Sequence, residues 1–103
     1  MTNDVATAVF EGIRNFHLEV FQMYQEDGED PFSGVVDMMP ARSLPPVRDF
    51  IEGLLRDKLH WGEMDRRWRD AGSNMLFASE EQMRAFLREV LRQVDRRLAT
   101  SRN

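Results

Sequence analysis

A chain of 103 residues with 42% apolar side chains can bury one sizeable core, so a single helical domain over residues 1–103 is expected. Cysteine is absent, which excludes a disulfide framework, a zinc–thiolate site and a thiol nucleophile. The net charge of −4 is unevenly spread: residues 1–40 carry eight acids against Arg14 alone, while residues 64–103 carry nine arginines against six acids. An acidic pole and a milder basic one follow, which matters for steering partners.

No apolar run approaches the roughly 18 residues that a membrane span requires, and the amino terminus lacks a basic-then-apolar signal pattern. A cytoplasmic protein without membrane contact is the expectation.

In chain order, Ala6, Val9, Ile13, Phe16, Val20 and Met23 step by three and four residues, which predicts a first helix over about 4–25 with Asn3 as N-cap. Phe10, Phe21 and Tyr24 widen its apolar face to about 160°, and Leu18 lies outside even that arc. So broad a face implies cover on two sides or an oligomer interface around Phe10, Leu18 and Phe21.

Residues 26–44 begin with the acidic turn Glu26-Asp27-Gly28-Glu29-Asp30-Pro31, after which Ser33 is placed to cap a short helical turn through Met39. A second long helix is expected over about 46–61, opened by Pro45-Pro46 and carrying Val47, Phe50, Ile51, Leu54, Leu55 and Leu59 inward. Gly62 should break it, with a short helix over 63–71 ended by Gly72. Residues 73–78 read as a buried loop or one short strand. The last helix, about 80–99, is the clearest: Ser79-Glu80-Glu81-Gln82 forms a capping box, and Met83, Phe86, Leu87, Val90, Leu91, Val94 and Leu98 share one arc of about 140°. The fold class is therefore all-α: a compact bundle of three long amphipathic helices plus one or two short ones.

Catalytic signals are weak. The serines lack a tight glycine-flanked turn, and the six glycines are scattered rather than gathered into a phosphate loop. Asp57, His60 and Glu63 stand three apart, as metal ligands on one helix would, but the matching half-site is missing because the other histidine, His17, follows Arg14. His60 is better read as a charge-favourable histidine near a helix C-terminus, and His17 as a partly buried, hydrogen-bonded one. Lys58, inside the apolar arc of its helix, is read as snorkelling. No enzyme, metal or cofactor is expected.

Two arginine-rich features suggest nucleic acid. Arg84, Arg88, Arg92 and Arg96 step by four along the last helix, and Arg66, Arg67 and Arg69 lie on the second helix of a candidate helix-turn-helix at 46–71. Both are interleaved with acids at pairing distance: Glu80–Arg84, Glu89–Arg92, Glu63–Arg67, Asp65–Arg69 and Arg66–Asp70. Paired, solvated surface is the better account, which leaves a nucleic-acid regulator as the third reading.

The acidic segment is the most informative feature. Glu26, Asp27, Glu29 and Asp30 lack the alternating ligands and terminal glutamate of an EF-hand, and Phe32, Met38 and Met39 set flexible apolar groups beside them. These seven residues are the candidate surface for a basic protein partner, with a non-catalytic binding module as the leading reading and a homo-oligomeric structural or adaptor protein as the second. Acidic, cysteine-free helical chains of this size are similar in class to the bacterial immunity proteins that block basic nuclease toxins. An inhibitor or immunity role is one concrete form of the leading reading.

Overall fold

In the computed structural model, which describes residues 2–101 and the side chains of residues 4–100, the first apolar seam does not form one rod. It is cut into α1 (Thr2–Ile13) and α2 (Leu18–Glu26). The cap role expected of Asn3 lies outside the described side chains.

The cut at residues 14–17 corrects the expected helix over 4–25, and its cause is distant in sequence. Breaking a helix orphans backbone groups that must find partners. Ser73 Oγ donates to the Phe16 carbonyl at 2.8 Å, and Asn74 Oδ1 accepts from the Leu18 N–H at 2.9 Å. His17 opens α2 with extended backbone and accepts from the Phe21 N–H at 3.0 Å. The break lets Phe16 turn fully into the core, where its ring meets Phe21, Trp68 and Phe86 at 5.4–6.1 Å. The over-wide apolar face is thereby explained: α1 buries Ala8, Val9 and Ile13, and α2 buries Phe21 in a different direction.

Pro31 starts α3 (Pro31–Met38), and the cap is Asp30 rather than Ser33. The Asp30 side chain accepts from the Phe32 N–H at 3.1 Å, while Ser33 Oγ donates back to the Asp30 carbonyl at 3.2 Å. A 3₁₀ turn (Ala41–Ser43) leads into α4 (Leu44–Arg56), which holds Pro45 and Pro46 in its first turn and buries Leu44, Val47, Ile51 and Leu54.

The expected helix over 46–61 stops early. Asp57 is extended, and His60 caps α5 (Trp61–Asp70) by accepting from the Gly62 N–H through Nδ1 at 3.1 Å. His60 therefore serves a helix start, not a helix end, Gly62 lies inside α5 rather than at the break, and Lys58 is exposed on the connecting segment. Gly72, at φ +124°, ends this unit. Residues 73–78 form an irregular loop, and there is no strand among the described residues.

α6 (Glu80–Ser101) follows a capping box in which Ser79 Oγ accepts from the Gln82 N–H at 3.1 Å. The reciprocal bond reaches one residue further than expected, from the Ala78 N–H to Gln82 Oε1 at 2.7 Å. α4 packs against both α1 and α6, and α3 bridges α6 and α2. With extents of 38 × 36 × 20 Å, the molecule is a slab about two helix diameters thick. Phe86 of α6 is the hub of its aromatic end, 4.9–6.0 Å from the rings of Phe16, Phe21, Phe32, Trp68 and Phe77.

Candidate partner-binding surface

The acidic segment is an ordered helix cap. After α2, the Gly28 N–H bonds to the Gln25 carbonyl at 3.1 Å and the Glu29 N–H to the Tyr24 carbonyl at 2.8 Å, with Gly28 at φ +75°. This is a Schellman motif: glycine takes the left-handed position and the last helical carbonyls are satisfied.

Within this turn the carboxylates have opposite energetics. Asp30, as N-cap of α3, sits at the positive end of a helix and also lies within the electrostatic reach of Arg92. Glu26, Asp27 and Glu29 crowd the negative end of α2, whose last turn holds no basic residue. Cations are favoured there, each by about 0.3–1 kcal/mol, so three carboxylates contradict the local preference.

Elsewhere carboxylates are held by arginine. Arg42 binds Glu11, Arg96 reaches Asp37 at 2.8 Å, and Arg48 joins Asp95 and Glu52 at 2.7 and 2.9 Å. Arg66 and Arg67 share Glu63, and their guanidiniums hold its carboxyl below the ordinary glutamate value. The expected pairs Asp65–Arg69, Arg66–Asp70, Glu80–Arg84 and Glu89–Arg92 all form, at 2.6–3.4 Å. No ion pair among the described residues engages Asp4, Glu19, Glu26, Asp27, Glu29, Asp30 or Glu81, so the acidic turn holds four of the seven acids without one.

The apolar members of the expected surface fare differently. Met38 is 48% exposed, but Met39 is 2% exposed and cannot be presented to a partner. Its side chain packs on α1, with Sδ 3.2 Å from the Cβ position of Gly12, while Arg97 Nη1 donates to the Val36 and Met39 carbonyls at 2.8 and 2.5 Å and ties the end of α3 to α6. Phe32 is half-buried against Phe86 and Phe21, at 5.1 and 5.2 Å. Of the three residues assigned to an oligomer interface, Phe10 and Leu18 are exposed, whereas Phe21 is in the core at 6% because α2 turns it inward.

Asp57, His60 and Glu63 do not share a helix, since the chain is extended between α4 and α5, so the helical ligand spacing does not exist. No protein family, no curated protein and no solved structure matches this chain.

Two apolar hollows were not anticipated from the sequence. One is a pocket of about 280 Å³ beside the acidic turn, lined by Phe21, Gln25, Pro31, Phe32, Met75, Leu76, Phe77, Gln82 and Phe86. Its far wall comes from the loop after α5, where the consecutive apolar residues Met75, Leu76 and Phe77 carry no periodicity that would name the element they meet. The other runs along α1 as two open grooves of about 660 and 800 Å³ that share Val5, Val9 and Phe50. Its rim is mixed, with Asp4, Arg42, Asp49, Arg67 and Asp70.

Proposed function

We propose that the protein is a non-catalytic binding module that presents Glu26, Asp27 and Glu29 to a basic protein partner. The observation that carries the reading is the placement of three carboxylates at the negative end of α2 with no ion pair to them among the described residues, in a molecule that pairs most of its other acids. A partner's lysines or arginines would relieve that repulsion and raise the association rate. Asp30 is removed from the contact set because it caps α3. An inhibitor or immunity-type role is a concrete form of this proposal.

A homo-oligomer is the second reading, favoured by one observation: Val5 and Phe10 stand half-exposed along the α1 grooves. Leu18 then lies on the other side of the α1–α2 corner and takes no part.

The test is capture from the native host with a carboxylate-to-lysine cross-linker of zero length, using wild type and the Glu26→Lys/Asp27→Lys/Glu29→Lys variant. The proposal requires a basic protein whose cross-links map to residues 26–29 and whose capture is lost in the variant. Cross-links that map to the α1 grooves, or capture that survives charge reversal, would overturn it.

A further inference from the structure

We infer that the partner's contacting segment carries one apolar side chain that enters the aromatic pocket between α2 and residues 75–77, flanked by basic residues that face Glu26, Asp27 and Glu29. The inference rests on the reading above and adds what the charge alone does not supply, an anchor.

The pocket is walled by rings fixed against one another. Phe77 and Phe86 lie 4.9 Å apart with interplanar angle 60°, and Phe32 meets Phe86 and Phe21 at 5.1 and 5.2 Å. At about 280 Å³ it falls below the range of about 300–1,000 Å³ typical of small-molecule sites, and suits a single side chain. Leu76 lines it while remaining 74% exposed, more than Met23 at 62% or Leu18 at 53%. A docked segment would cover that side chain, and anchors in such pockets dominate binding while charged rims tune rate.

Charge decides which class of segment fits. Lining residues Gln25 and Pro31 bracket the acidic turn in sequence, so Glu26, Asp27 and Glu29, which do not line the pocket themselves, lie on the chain that joins two of its wall residues. Among the described residues no lysine or arginine lines it, whereas the grooves along α1 are lined by Arg67 and Arg42, and a hollow between α4 and α6 by Arg48. An apolar residue within a basic stretch is complementary to both parts. An acidic or purely apolar segment satisfies at most one.

The test uses three synthetic pentapeptides titrated into isotope-labelled protein and followed by backbone amide shifts: a central phenylalanine between lysine–arginine pairs, the same peptide with central alanine, and a neutral glycine–serine peptide with central phenylalanine. The expected result is that the basic phenylalanine peptide shifts amides of both 26–29 and 75–77. It should bind at least about fivefold more tightly than the basic alanine peptide. Leu76→Ser, an exposed position whose change leaves the fold intact, should shrink that difference. Equal affinity of the two basic peptides, with shifts confined to 26–29, overturns the anchor and leaves the acidic reading standing. Failure of both basic peptides to shift 26–29 beyond the neutral one overturns the acidic reading and the anchor together.

Discussion

Ser73 Oγ donates to the carbonyl oxygen of Phe16 at 2.8 Å, across 57 residues of sequence, and in turn accepts from the Met75 N–H at 3.0 Å. One buried hydroxyl thus seals the end of α1 and orders the loop that walls the aromatic pocket. Ser73→Ala leaves a buried carbonyl and an amide unpaired, and should cost about 1–3 kcal/mol in urea unfolding. The amides of 75–77 should exchange faster with solvent than in wild type. Unchanged stability would mean that water replaces the hydroxyl and that the corner does not depend on it.

The three carboxylates at the end of α2 predict a trade between stability and binding. Glu26→Lys and Asp27→Lys should each stabilise the isolated protein by about 0.3–1 kcal/mol at low ionic strength, because a cation then sits at the negative helix end. The gain should shrink in about 1 M salt, where screening acts over about 3 Å. Thermal unfolding at two salt concentrations measures both. A loss of stability at low salt would show that these acids are already compensated.

Gly12 is a packing residue. A Cβ built there would meet Val47 Cγ2 at 2.6 Å, Ser43 Cβ at 3.1 Å and Met39 Sδ at 3.2 Å. Gly12→Ala gains about 1 kcal/mol of helix propensity, yet the overpacking costs about 1–3 kcal/mol. A net loss in chemical denaturation is expected, since α1 must move away from α4 to admit the methyl. A net gain would mean that the side chains of Val47 and Met39 yield at little cost.

Glu89 gives a pH-dependent prediction. Hydrogen bonds from Arg92 at 2.6 Å and Gln93 at 2.9 Å hold its carboxyl below the ordinary glutamate value, against the opposing effect of partial burial. A carboxyl depressed in the folded state contributes stability above its unfolded value, near 4.3, and loses it as pH falls through the folded one. Glu89→Gln should therefore be less stable than wild type at pH 7, by well under 1 kcal/mol given the exposed arginine, and indistinguishable from it near pH 2. A constant difference across that range would exclude the ionised carboxylate as its source.

Locally encoded features were legible in the sequence. The capping box at Ser79, the proline start of α4, the glycine stop at Gly72 and the inner row from Met83 to Val94 all follow from residues within one or two turns of their effect. What stayed hidden was set at a distance. The periodic seam from Ala6 to Met23 is continuous, and nothing within it announces a corner that Ser73 and Asn74 hold. The run from Val47 to Leu59 likewise keeps helical spacing past Arg56, where the chain turns out to let His60 cap α5.

At the site the same division holds. The acids of residues 26–30 were visible from composition, as was their lack of neighbouring cations in sequence. The role of Asp30 as a cap depended on recognising that Pro31 at N1 makes the preceding residue the cap, a signal that was present. The burial of Met39 was not, because it depends on Gly12 of α1 receiving its side chain and on Arg97 of α6 holding its backbone carbonyl.

The corner between α1 and α2 also has a history within each molecule's synthesis. A chain emerges amino terminus first, at about 5–20 residues per second, so the seam from Ala6 to Met23 is complete several seconds before Ser73 and Asn74 exist to receive Phe16 and Leu18. The corner therefore cannot close until Ser73 and Asn74 have been made, some fifty residues after the seam that it bends.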